Sequence, residues 1–140
     1  MNKYSTTGLN ALSKEVRADT LELGFGNTDV PLRTALIHSE MSEAFEAFRM
    51  DKFCEIKDKE FEKDWLERLK TEMEAKPELK LRYQEYFKHH IKDTFEDELA
   101  DTLIRLLDLC AQMDVDIEYH VEQKLYFNKT RGYKFGGKKF

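Results

Sequence analysis

Proline and glycine are scarce, 2 and 6 of 140 residues, which argues against a turn-dense sheet protein and for long helices. Cysteine occurs twice, as Cys54 and Cys110, at a spacing that fits no metal or redox motif and excludes a disulfide framework. Both are read as reduced thiols, and Cys110, in an apolar helical stripe, as a small buried hydrophobe. No apolar run approaches the roughly 18 residues that cross a bilayer, and the polar opening Met1–Ser5 is no signal peptide. The expectation is a cytoplasmic protein without membrane association.

Charge is abundant and unevenly placed. Charged residues make up 36% of the chain and the net charge is -5. From Lys124 to Phe140 there are six basic residues and no acidic one, so the other 123 residues carry 17 basic against 28 acidic side chains, net -11. An acidic body with a short basic tail disfavours a polynucleotide, which needs an extended positive surface. A small anion suits it better. A tail that stacks single-stranded nucleic acid on Tyr133, Phe135 and Phe140 is the competing reading.

The length fits a single all-α domain over residues 1–140. Leu9, Leu12, Val16, Leu21 and Leu23 are roughly helical in period, with a stop at Gly24 and Gly26. Asp29 and Pro31 open a second helix that runs to about Met50 with Ile37, Met41, Ala44 and Phe48 on one stripe. Residues 51–92 read as a charged helical insertion, two helices broken at Lys76–Pro77. Phe95, Leu99, Leu103, Leu106, Cys110 and Met113 form the strongest seam, expected as the core of an antiparallel helical bundle. Asp114 to Asp116 interrupt it, a short helix from about Ile117 to Phe127 follows, and 128–140 is a basic tail with Gly132, Gly136 and Gly137.

Two acidic pairs flank these stripes: Glu40-x-x-Glu43 and Glu98-x-x-Asp101. Residues three apart share a helix face, so each pair can present two carboxylates to one point. Seven acidic pairs have this spacing, and a solvated edge with salt bridges such as Asp101 to Arg105 explains most of them. The 40/43 pair differs because Leu36, Glu40, Glu43 and Ala47 put acids where a helix buries apolar side chains. Converging carboxylates are a hard, oxygen-only donor set suited to Mg²⁺ or Mn²⁺, whereas a di-iron bundle wants Glu-x-x-His, which these acids do not provide. Magnesium so held shares a substrate's phosphates. Near the end, Lys124, Asn128 and Arg131 recur at helical spacing, and Gly136-Gly137-Lys138-Lys139 offers a weak phosphate nest. His38 can touch a base or ribose or be structural; His89, His90 and His120 read as surface residues.

Taken together, Ile37-His38-Ser39-Glu40-Met41-Ser42-Glu43-Ala44, Glu98-Leu99-Ala100-Asp101 and Lys124-x-x-x-Asn128-x-x-Arg131 resemble the ordered motifs of the MazG-like all-α nucleoside triphosphate pyrophosphohydrolases. The resemblance spans roughly Leu32 to Phe48 and Thr94 to Lys138. It implies Mg²⁺ on Glu40, Glu43, Glu98 and Asp101, a triphosphate engaged by Lys124, Asn128 and Arg131 with His38 and Lys138 as further contacts, and Glu40 as a guess for the general base. It also implies hydrolysis to a nucleoside monophosphate and pyrophosphate by a homodimer or homotetramer. A non-catalytic helical module that binds nucleotide and metal is the alternative. Ser39 stands where the family's first motif often has a further acid, and 54 residues, Ala44 to Asp97, separate the acidic motifs, enough for extra helices that cover the base or build an interface.

Overall fold

The computed structural model describes residues 8–55, 59–73 and 75–131. Among them the chain is all-helical: α1 Leu9–Glu22, α2 Val30–Arg49, α3 Lys59–Glu72, α4 Pro77–His90, α5 Phe95–Gln112 and α6 Ile117–Thr130. No helix among the described residues is long and apolar enough to cross a membrane.

Helix ends follow local chemistry. Asp29 accepts the Leu32 N–H at 2.9 Å and Asp116 accepts that of Tyr119 at 3.1 Å, so each satisfies an otherwise orphaned donor. Pro77 opens α4 and holds Lys76 extended. Gly24 closes α1 at φ 87°, while the Phe25 N–H reaches back to the Thr20 carbonyl at 3.0 Å. The same left-handed closure at the ends of α2 and α5 is made by Asp51 (φ 56°) and Asp114 (φ 51°), without glycine. Aspartate tolerates that region better than most residues.

The chain divides into two compact units, one of residues 1–35 with 103–140, the other Leu36–Thr102. In the first, α1 packs against α6, and their beginnings cap each other. The Glu118 carboxylate accepts the N–H groups of Gly8 and Asn10 at 2.8 and 3.0 Å, and the Asn10 side chain bonds Asp116 and the Ile117 N–H. Ser13, buried, donates to the Leu107 carbonyl at 2.6 Å. Asp108, 3% exposed near the end of α5, takes Arg17 at 3.3 Å and Arg33 on its two oxygens. Arg33 also donates to the carbonyls of Phe25 and Asn27, which fastens the loop between α1 and α2.

In the second unit α3 packs on α4, with Trp65 edge-on to Tyr86 at 4.9 Å and Leu69 buried. Ala44 and Ala47 are buried on α2, joined by Glu40 on the same helix and by Thr94 and Glu98 around the start of α5.

The expected core seam of α5 is corrected. Cys110 is buried and Phe95 half-buried, but Leu99, Leu103, Leu106 and Met113 are 38 to 53% exposed. On α2, likewise, Ala44 is fully buried while Met41 and Phe48 are 47 and 56% exposed. Small residues and carboxylates occupy the inward positions of these helices, and the large apolar side chains one position round are left exposed among the described residues.

Asp108→Ala should leave two largely buried guanidinium groups uncompensated and lower stability by about 3 kcal/mol. Urea unfolding measures it, and the triple replacement R17M/R33M/D108L should recover most of the loss.

Candidate metal centre

The segment leaving α2 is stitched to the start of α5. The Phe95 N–H donates to the Lys52 carbonyl and the Cys54 N–H to the Glu96 carboxylate, both at 2.9 Å. Phe48, Phe53 and Phe95 pack ring against ring with centroids 5.7 to 6.0 Å apart. Thr94 caps α5: its hydroxyl oxygen accepts the Asp97 N–H at 3.3 Å and donates to the Ile91 carbonyl at 2.6 Å. Asp93 precedes it at φ 60°, its N–H held by the Asp97 carboxylate at 3.0 Å. This start of α5 fixes where Glu98, four residues past the cap, presents its carboxylate.

That place is beside Glu40 and Glu43. One carboxylate oxygen from each of Glu40, Glu43 and Glu98 lies within 4.8 Å of the others. Glu40 and Glu98 are buried, 7 and 6% exposed, and Glu43 stands at the surface, where the Ser39 hydroxyl donates to it at 3.3 Å. Oxygens on opposite sides of a hard divalent cation are about 4–5 Å apart, so the spacing and the donor type both fit such an ion. Burial first, then the charges of Glu43 and Glu40, with smaller contributions from Asp97 and Asp101, push the Glu98 carboxyl up to about 7 from an ordinary 4.5. A cation here would relieve both costs at once.

Three of the four expected carboxylates are therefore brought together. Asp101, one turn beyond Glu98, is exposed and outside the group, though its charge acts on Glu98. Lys124 and Arg131 share a helix face as expected, with Lys124 Nζ 5.2 Å and the Arg131 guanidinium 5.8 Å from the Phe127 ring. Asn128 between them is half-buried, and α6 runs three residues beyond its expected end, so it carries Asn128. His38 is exposed. Lys138, the tail glycines and the tail aromatics lie outside the described residues. His89, His90 and His120 are exposed, and burial raises the Cys110 thiol, which keeps it protonated and inert.

Sequence reasoning missed Lys52 and Asp93. Together with Glu43, Met50 and Glu98 they line a cavity of about 210 Å³ onto which the carboxylates open. It also missed Asp108, whose one signal was a lone acid between leucines in Leu106-Leu107-Asp108-Leu109. No family model matches this chain, and neither a curated protein nor a solved structure shows significant similarity to it.

Because the folded protein holds a proton on Glu98 that the unfolded chain has already released, metal-free stability should fall as pH rises from about 4.5 through about 7. The loss is of order 1–3 kcal/mol. Thermal melts in EDTA across that range should show it, Mg²⁺ should reverse it at the alkaline end, and Glu98→Gln should flatten the profile and raise metal-free stability.

Proposed function

We propose that this chain is a Mg²⁺-dependent nucleoside triphosphate pyrophosphohydrolase of the MazG-like kind, an antiparallel helical bundle acting on the nucleotide pool. One observation carries the reading: three carboxylates from two helices, two of them buried, crowd within 4.8 Å. Buried like charges are costly unless a cation compensates them, and an all-oxygen set selects Mg²⁺, or Mn²⁺, over softer metals. Such an ion takes phosphate oxygens readily, and the sequence motifs point to the same chemistry.

In this reading Glu40, Glu43 and Glu98 hold the cation, with Asp101 joining from the next turn of α5. The bound ion supplies an acidified water and neutralises charge on the attacked phosphate. The chain's own part is to orient the water and take up its proton, for which Glu40, buried on α2, is the candidate base. The water oxygen bonds to the α-phosphorus, the bond from that phosphorus to the α–β bridging oxygen breaks, and pyrophosphate leaves with the bridging oxygen. The assignment of Lys124, Asn128, Arg131, His38 and Lys138 to the substrate rests on the resemblance alone.

The homo-oligomer belongs to the same proposal and has separate support. Leu99, Leu103, Leu106 and Met113 along α5 are exposed among the described residues, and exposed apolar stripes of this kind mark interfaces. A second copy of the chain is the occupant expected from symmetry.

Pyrophosphate release from a panel of triphosphates with Mg²⁺ tests the activity. The expected outcome is turnover that falls about 100-fold or more in Glu40→Gln and Glu98→Gln; metal-dependent nucleotide binding without turnover would establish the binding-module alternative instead. In sedimentation velocity the protein should run as a dimer or tetramer, and L103D/L106D as a monomer.

A further inference from the structure

The inserted segment shapes a second hollow beside the carboxylates. It has a volume of about 340 Å³ and is walled by 51–53 and Glu55 after α2 and by His89, His90 and 92–94 before α5. Lys52 and Asp93 line both this hollow and the 210 Å³ cavity of Glu43 and Glu98, so the two are neighbours across a shared wall. Its volume falls at the small end of the range for ligand sites.

The lining is chemically selective. Phe53 offers ring surface, 37% exposed, and is held in place by Phe48 and Phe95. His89 and His90 add two imidazoles, the latter braced on the Tyr86 ring at 4.8 Å. Asp51, Glu55 and Asp93 bring three carboxylates, and Lys92 is engaged by Asp93 at 2.9 Å. A phosphate chain would meet more negative than free positive charge there. A flat heteroaromatic ring meets what it needs: an aromatic face to stack on, carboxylates to accept from an exocyclic amino group, and Lys52 to donate to a ring acceptor.

We infer that this hollow is the nucleobase subsite, and that it favours bases bearing an exocyclic amino group. The inference rests on the hydrolase reading: the carboxylates take the phosphates, and Lys52 and Asp93 mark the way from phosphate to base. It assigns the 51–92 insertion a role in specificity, since both walls of the hollow lie at the insertion's two ends.

CTP and UTP differ at the base by an exocyclic amino group against a carbonyl and, beside it, by a ring nitrogen that accepts in cytosine and donates in uracil, and serve as probes. Steady-state hydrolysis with Mg²⁺ should give a kcat/KM for CTP at least about fivefold above that for UTP. D51N/E55Q, in which both residues are solvent-exposed and asparagine suits the left-handed backbone at position 51, should erase that ratio. Phe53→Leu, which keeps an apolar side chain against Phe48 and Phe95, should raise KM for both about fivefold or more, while Mn²⁺ affinity measured by paramagnetic resonance stays at the wild-type value. Hydrolysis with no amino preference, or with ratio and KM unmoved in these variants, would overturn the subsite and leave the hydrolase intact. Loss of neither Mn²⁺ nor activity in Glu40→Gln and Glu98→Gln would overturn the hydrolase reading itself, and the subsite with it.

Discussion

Carboxylates held out of water next to one another govern how the second unit is put together. Glu40 and Glu98 occupy positions that a bundle normally gives to leucine, and burial of Glu98, reinforced by the charges of Glu43 and Glu40, pushes its carboxyl up to about 7. A group of this kind persists only where the surrounding structure is over-determined. Here the determination comes from the start of α5: the Thr94 cap, the backbone bond from Phe95 to Lys52, the Glu96 carboxylate on the Cys54 amide, and three phenyl rings behind them. The proposed chemistry depends on that local rigidity.

The first unit solves a different problem with the same means. Its one deeply buried acid, Asp108, is fully matched by Arg17 and Arg33, and the pairing ties α1, the loop after it and the start of α2 to α5. The contrast is informative. A buried acid with two cationic partners is a structural tie; the carboxylates of Glu40, Glu43 and Glu98 lie within 4.8 Å of one another, the arrangement on which the metal proposal rests.

Apolar side chains follow from these choices. With alanines and carboxylates turned inward, Leu99, Leu103 and Leu106 on α5 and Met41, Phe45 and Phe48 on α2 are left in solvent. The sequence pattern had identified several of these side chains as core, and their exposure is the observation behind the proposed homo-oligomer. The helical periodicity was real, but among the described residues these positions are exposed.

The sequence by itself determined the helices and most of their ends, because capping and proline effects act within a few residues: Asp29 and Pro77 sit where they were expected to start α2 and α4, and α6 begins at the expected Ile117. It also determined that Glu40 and Glu43 share a face, since three residues along a helix fix that geometry. Tertiary structure decided the rest. That Glu98 joins Glu40 and Glu43 while Asp101 stays outside depends on the angle at which α5 begins, set by contacts between residues more than forty apart such as Cys54 and Glu96. Likewise Lys52, His89, His90 and Asp93 carry no local signal. They line cavities because the chain folds back on itself between α2 and α5, and no periodicity encodes a meeting of distant segments.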